Sequence, residues 1–527
     1  MKMKLFFLIF ILIALLSLLQ GEKVEKVEKV EKVENSNKPK EIKNILVFTF
    51  PGGKSHNFIL KESFKYIKNQ LIVDKKDYEI KFHVVVHNFD KDLWKDTDHE
   101  IFGYGDVSSY EEKFFRAMEG AKEDPVMGYN QFNEAMIHLY GDFLKDKVLH
   151  LLKPIKFEIL LTDINNCVST FLFKELNITK RMYLNPTCVY TWYNDVFEYN
   201  ASFHPMIGSK STEIMSFKER FVEQFFILGT RAMYVYFKYV QNALFKEHGY
   251  HYDIEPVPVD AFYMAQCVQG VHFNVSLPPN FVSTGAILPK PSKPIQNEEL
   301  NNFLNKHKKN VYVSQGTITK AFRMGILFDV FENFPEVGFI LSLKSEFLLK
   351  GLTFPKNVLY KSWVPQNDLL GDKRISGFIT HGGLNSILES LYHAKPMIAI
   401  GTSIDQVNGA VLVNYRKYGV GLTSEEDIAF NNLTKSLEAI LNDPEFSDNC
   451  QQASRFVREK DGKETIYYWI DYVLNNGYEH LLLPALSQYN YIQLYNFDVF
   501  LAWLAILYLA YRLIEYTLSK LLSCKKN

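Results

Sequence analysis

Apolar residues fall along this chain in short unbroken runs rather than in a strict alternation with polar ones. Ile45–Phe50 (ILVFTF) is mostly apolar and ends on Pro51-Gly52-Gly53. A run of that length closed by a glycine turn predicts a strand buried on both faces. Ser55 then opens a helical stretch over Asn57–Leu71, and Ile80–Val86 and Phe157–Thr162 predict two further strands, the second closed by Asp163. The pattern restarts after a proline-rich join at Pro289, Pro291 and Pro294, which follows Pro278-Pro279. Beyond it, strands are expected at Val311–Ser314, Gly338–Leu343, Val358–Lys361, Gly377–Thr380 and Pro396–Ile400, most of them separated by helices. Alternating strands and helices imply parallel sheets covered on both faces. The expected fold is α/β, with two doubly wound, Rossmann-like domains over 44–285 and 286–480 that face a cleft. Ligands of such sheets bind beyond the carboxyl ends of the strands.

Both ends of the chain depart from this pattern. Lys2 and Lys4 precede an uninterrupted apolar run from Leu5 to Leu16, so residues 1–20 read as a secretory signal. Residues 21–43 are a spacer, since the Glu-Lys-Val triplets from Glu22 to Val33 repeat with a period that builds no apolar face. After a linker at 481–497, residues 498–519 are apolar enough for a transmembrane helix, with Asp498 at one face and Arg512 snorkelling toward the other. Lys520, Lys525 and Lys526 put the tail, 520–527, in the cytosol. The expected topology is single-pass type I, in the endoplasmic reticulum or another secretory-pathway membrane, with the bulk of the chain lumenal. Asn177-Ile-Thr179, Asn200-Ala-Ser202 and Asn274-Val-Ser276 are acceptor triplets for N-glycosylation on that side.

Composition narrows the partners. Lys and Arg number 59 against 60 Asp and Glu, which argues against a nucleic-acid binder. The five cysteines fit no zinc spacing, and at most two bridges can form among the four that would be lumenal. The 42 Phe and 31 Tyr imply large apolar surfaces, and many of them fall between Tyr104 and Phe245, which suits a lipophilic small-molecule acceptor.

Chemistry concentrates between Trp363 and Gln406. Phe378–Thr380 is a strand end, His381-Gly382-Gly383 a tight turn and Asn385–Tyr392 the helix that follows. Such a helix start offers free N–H groups and a positive dipole to a phosphate, and glycines let the backbone approach closely. His381, Asn385 and Ser386 add donors, and Glu389, one turn on from Asn385, suits a ribose diol. Trp363 and Gln366, behind the Val358 strand, suit a base, and Asp405-Gln406, at a third strand end, suit sugar hydroxyls. Each element alone is weak. Three clusters in order at three strand ends point to a nucleotide sugar.

The series W-x-P-Q, H-G-G-x-N-S, E and D-Q resembles the donor signature of the UDP-glycosyltransferases, and the animal UDP-glucuronosyltransferases are the nearest likeness. The likeness runs from the signal to the anchor. It implies a fold of the GT-B type, and metal-free, inverting transfer from a UDP-sugar co-substrate with no cofactor. By position, Trp363 would stack on uracil, Gln366 contact the uridine and Glu389 hold the ribose. Ser314, His381, Gly383, Asn385 and Ser386 would line the diphosphate, and Asp405 and Gln406 would bind the sugar. In the acceptor half, His56 would take a proton from the acceptor hydroxyl, with Asp163 orienting it. No Asp-x-Asp triplet occurs in the donor half. Asp90-Lys-Asp92 and Asp96-Thr-Asp98 in the acceptor half read as a solvated loop. His204, His272 and His393 read as structural or surface residues.

Three departures from the family pattern stand out. The loop before Asp405 is Gly401-Thr-Ser-Ile, where relatives carry a proline and bulkier residues. Gly409 stands where an Asn is usual, with Asn408 one place early. Val275, in FNVSLPPN, falls where an Arg would meet a glucuronate carboxylate, which brings neutral hexoses into competition. The acceptor stays open between a small lipophilic hydroxyl compound and a membrane lipid such as a sterol or sphingolipid. An inactive UDP-sugar-binding protein is the contrasting reading, against which the retention of both His56 and Asp163 speaks. Self-association into a homo-oligomer also stays open.

Overall fold

The computed structural model describes residues 40–527 except 109, 111–124, 165, 167, 189–203, 256–257, 275–276, 317–323, 344–352, 402–403, 425, 484–487, 490, 495 and 525–527. The signal, most of the spacer, Cys167, the Asn200 triplet and Val275 fall outside the described residues.

Two parallel sheets organise the chain. The first contains β1 (Glu41–Phe48), β2 (Tyr78–His87), β3 (Glu100–Tyr104), β4 (Ile159–Asp163), β5 (Lys180–Asn185), β6 (Phe262–Ala265) and β7 (Phe281–Ser283). The second contains β8 (Lys309–Ser314), β9 (Val337–Ser342), β10 (Val358–Lys361), β11 (Ile375–Thr380), β12 (Met397–Ile400) and β13 (Gly419–Leu422). Their orders are β3-β2-β1-β4-β5-β6-β7 and β10-β9-β8-β11-β12-β13. Each sheet runs out from its first strand in one direction and then reverses to the other side. The reversals lie between β1 and β4 and between β8 and β11, both parallel pairs, with Phe48 opposite Thr162 and Ser314 opposite Thr380. Ligand crevices open at such switch points, beyond the strands' carboxyl ends. Every strand expected from the apolar runs is present, and β1 starts at Glu41, inside the expected spacer.

The strands sit where they do because both faces are covered. Ile45, Leu46, Val47 and Phe48 are all fully buried. On one face the helix Lys54–Val73 stacks Phe64 on Phe82 at 3.9 Å; on the other, Phe143 meets Phe48 edge-on at 5.1 Å. In the second sheet Phe331 stacks on Phe339 at 3.9 Å and Tyr312 on Phe378 at 5.0 Å. Each fully buried phenyl ring contributes about 1.5–3 kcal/mol. One apolar cluster runs continuously from Tyr183 and Tyr263 of the first sheet to Tyr312 and Phe378 of the second, so the halves share a core. The helix Gly462–Asn476 crosses back from the second half. Its Ile466, Ile470 and Val473 pack among Ile45, Phe64 and Met182, and Lys76 pairs with Asp471 at 2.9 Å.

Phe497–Cys524 forms one helix, and within Phe497–Ser519 the most apolar 18 residues have a mean hydropathy of 1.8 and none of them is buried. It is long and apolar enough to cross a membrane. Arg512 lies 3.5 Å from Glu515 one turn away, so these two of the three charges in that stretch face each other, with Asp498 at its start.

Candidate active site

The two switch points carry the chemistry. Past β1 the chain turns at Gly52, whose φ of +75° is a left-handed value that glycine adopts without strain. Gly53 follows, and a Cβ built there would lie 2.7 Å from the Phe50 ring. His56 then sits in the first turn of the Lys54–Val73 helix and stacks on Phe50 with ring centroids 5.3 Å apart. Asp163 closes β4, the strand across the switch point. His56 Nδ1 and Asp163 Oδ2 are 2.7 Å apart, with side-chain exposures of 19% and 3%. Burial opposes the charged imidazole, but the Asp163 carboxylate outweighs it, with smaller help from Asp405 and Asp90, so the His56 pKa is raised. With Nδ1–H donated to Asp163, Nε2 is the nitrogen left to accept a proton.

Asp90 corrects the reading of its loop. Asp92, Asp96 and Asp98 are solvated, with side chains 77%, 76% and 79% exposed. Asp90 is completely buried instead. Its Oδ2 accepts from the Gly52 N–H at 2.5 Å, and burial pushes its pKa up to about 6. It braces the turn that presents His56. Nothing in the apolar pattern marked this, because the surrounding charges mask one inward-facing carboxylate. Among the described residues no group of three or more His, Cys, Asp and Glu is placed to hold a metal.

On the second sheet, Ser314 ends β8 and His381 follows β11, again flanking the switch point. Gly316, at φ +75°, lets its backbone lie against the His381 ring, since a Cβ there would sit 2.6 Å from Cε1. Burial drives the His381 pKa down to about 4, so it is a neutral donor or acceptor at pH 7. The helix Leu384–Tyr392 starts at Gly383 with no side-chain cap, which leaves its first N–H groups to a ligand. Gln366 joins a network there: its amide donates to Glu389 and, at 3.3 Å, to Ser386 Oγ, and Tyr312 OH donates to its Oε1 at 3.2 Å. Burial pushes Glu389 up to about 7. Trp363, 74% exposed, presents an open indole face. Asp405 lies in the first turn of Ile404–Tyr415, its pKa raised by burial and eased by the charge of His56. The buried Gln406 Oε1 has no protein partner.

Two residues outside the motifs tie the halves together at this point. Gln266, just past β6, donates from Nε2 to Asn385 Oδ1 at 2.7 Å and accepts from the Ile287 N–H at 3.1 Å. The Asn385 amide N–H groups are thereby turned away from that oxygen. Asn408 is 1% exposed and donates to the Met206 carbonyl at 2.9 Å, while its Oδ1 accepts from the Gly208 N–H at 2.6 Å. Its neighbour Gly409 leaves no room for a side chain, since a Cβ would lie 2.0 Å from the Gly382 carbonyl oxygen. A disulfide joins Cys188, past β5, to Cys267, beside Gln266. Cys450 is a buried free thiol.

Residues 59–527 match the family described as "UDP-glucoronosyl and UDP-glucosyl transferase". The chain belongs to that family. Among its relatives, UDP-glucuronosyltransferase 2B23 of Macaca fascicularis is 25% identical over 73% of this chain and 75% of its own. The 2-hydroxyacylsphingosine 1-beta-galactosyltransferase of Homo sapiens is 28% identical over 42% of this chain and 41% of its own. Of solved structures, the calicheamicin glycosyltransferase CalG4 superposes with a TM-score of 0.58 at 14% identity, over 82% of this chain and 98% of that one. The UDP-glucose:anthocyanidin 3-O-glucosyltransferase bound to UDP gives 0.56 at 17% identity, over 82% and 99%. The fold is therefore GT-B, and the protein is a UDP-glycosyltransferase that takes a UDP-sugar as donor.

Proposed function

We propose that this UDP-glycosyltransferase moves a hexose or glucuronate from its UDP-sugar to a hydroxyl of a small lipophilic acceptor in one inverting displacement. The observation that carries the reading is the His56–Asp163 pair at the first switch point, within electrostatic reach of Asp405 from the second. His56 Nε2 takes the acceptor proton, the acceptor oxygen bonds the anomeric carbon, and the bond from that carbon to UDP breaks as UDP leaves. Asp163 fixes the tautomer and stabilises the imidazolium. Residues 44–285 receive the acceptor, and 286–480 hold the donor. Trp363 stacks on uracil, Gln366 reaches the uridine and Glu389 the ribose. The Ser314, His381, Gly383, Asn385 and Ser386 cluster holds the diphosphate, and Asp405 and Gln406 the sugar. Residues 498–519 anchor the chain with both halves on the lumenal side. A membrane-lipid acceptor is the second reading, favoured by the sphingosine-directed galactosyltransferase among the relatives.

A donor panel tests this. The purified chain is offered UDP-glucuronate, UDP-glucose, UDP-galactose and UDP-N-acetylglucosamine with a phenol or a ceramide, and UDP release is followed. His56→Ala is expected to keep UDP binding and lose turnover. Unchanged turnover in that variant refutes the assigned base.

A further inference from the structure

The helix Phe217–Glu247 is built to hold a defined face outward. Ser216 caps it with a full capping box, Glu219 N donating to Ser216 Oγ at 3.3 Å and Ser216 N to Glu219 Oε2 at 2.7 Å. Its inner side is set by Glu223, Ile227, Gln241 and Phe245, each at most 3% exposed. Its outer side is apolar. Phe217, Phe221, Phe225, Leu228, Val235 and Tyr239 are 61–76% exposed. At 3.6 residues per turn these six fall within an arc of about 80° and run for about 33 Å along the axis.

We propose that this stripe is a second membrane contact, a helix lying in the lipid headgroup boundary beside the spanning helix. Its breadth argues for lipid over a second copy of the chain. A coiled-coil seam is narrow and flanked by charges that select the partner. Here one flank, Val222, Phe226 and Tyr236, is also apolar and 41–57% exposed, which widens the face to about half the circumference, while Arg220, Arg231 and Lys238 line the other edge. A broad apolar face rich in Phe suits a helix sunk 5–10 Å into a bilayer surface. A solvated helix would not expose so large a patch. The proposal rests on the reading of Phe497–Ser519 as an anchor, which already holds the protein at a bilayer.

The test uses the full chain in phosphatidylcholine nanodiscs, with Cys167→Ser and Cys524→Ser as background. A nitroxide is placed in turn at Phe221→Cys, Phe225→Cys, Ile506→Cys and Lys435→Cys, and its collisions with oxygen and with a water-soluble nickel complex are measured. All four are exposed, and Ile506, at 53%, reports the anchor. The expected result is loss of nickel collisions at 221 and 225, as at 506, with Lys435→Cys fully accessible to nickel. Nickel-accessible 221 and 225 beside a protected 506 overturn the surface contact and leave the anchor standing. A nickel-accessible 506 refutes the anchor, and the 221 and 225 sites then decide the stripe by themselves. Spin–spin broadening between copies at 221 overturns the proposal in favour of self-association.

Discussion

Replacing Asp163 by asparagine separates what the carboxylate does for charge from what it does for shape. At 2.7 Å from His56 Nδ1 it is the main group that raises the imidazole pKa above its ordinary 6.5. A unit charge about 4 Å away at an effective dielectric near 20 is worth about 4 kcal/mol, or about three pKa units. The protein holds its own reference in His381, a buried imidazole without a carboxylate partner, which sits at about 4. Asp405 and Asp90 keep part of their field on His56 in the variant. The acid limb is therefore expected to move to lower pH. The plateau rate falls as well. An asparagine amide that donates to Nδ1 forces the proton onto Nε2, the wrong nitrogen for a base, and the loss is about 10²–10⁴-fold. The assay is kcat/KM against pH from 5 to 9, by UDP release, with the UDP dissociation constant as a control on folding. The sign follows from the chemistry: a base must be neutral, so activity rises with pH through its pKa. Asp163→Asn with a plateau within threefold of the parent and an unmoved acid limb refutes the pairing as the catalytic base.

If Glu389 holds the ribose as proposed, its carboxyl, pushed up to about 7 by burial, accepts hydroxyls best once ionised, and UDP affinity is expected to rise as pH passes 7. Glu389→Gln flattens that pH dependence and weakens UDP by about 10–100-fold, the worth of hydrogen bonds to a charged group, by calorimetry at pH 6 and 8. Cys267→Ser opens a bridge between residues 79 apart in sequence, and the larger unfolded-state entropy costs about 4 kcal/mol, read as a lowered urea midpoint. Gly409→Ala drives a methyl against the Gly382 carbonyl beneath the glycine turn and destabilises the fold by about 1–3 kcal/mol, while Gly229→Ala, in open space inside a helix, stabilises it by about 0.5–1 kcal/mol, both read from the urea midpoint.

The sequence exposed those parts of the fold whose physics is local. β1, β4, β8 and β12 are runs of residues buried on both faces, so their apolar content alone marks them. Among those that escaped, β5, β7 and β13 have identifiable reasons. Lys180–Asn185 opens on two cations, Gly419–Leu422 is half glycine, and Phe281–Ser283 is only three residues long. Site residues at strand ends were visible because a strand that stops at a glycine turn says where its carboxyl end lies. His56 and Asp163, 107 residues apart, meet because β1 and β4 are neighbours, a fact of sheet order rather than of spacing. Asp90, Gln266 and Asn408 had no such marker. Each is a polar residue turned inward by contacts with a distant segment, and only the assembled chain reveals the partner. The displacement of Asn from 409 to 408 looks like a defect in a motif, yet Asn408 is fully bonded to the 206–209 loop and Gly409 fills a gap that admits no other side chain.

The duplicated sheet order also bears on how donor and acceptor are coordinated. His56 belongs to one sheet and Asp405 to the other, and each shifts the other's charge: Asp405 helps raise His56, and His56 eases the burial of Asp405. A sugar that donates hydroxyl hydrogen bonds to Asp405 stabilises its ionised form. In the proposed mechanism the same carboxylate then favours protonation of His56, so loading of the donor would strengthen the base for the one proton it must accept. Linkage makes the effect reciprocal, and protonation of His56 holds Asp405 ionised on the sugar. That coupling survives only while the two switch points stay in register. The Gln266–Asn385 bond, the Asn408 bonds and the returning helix Gly462–Asn476 are the contacts that keep them there. The near-zero net charge of the chain fits the proposed site, in which the phosphates would be met by oriented N–H groups and the His56–Asp163 pair would serve proton transfer.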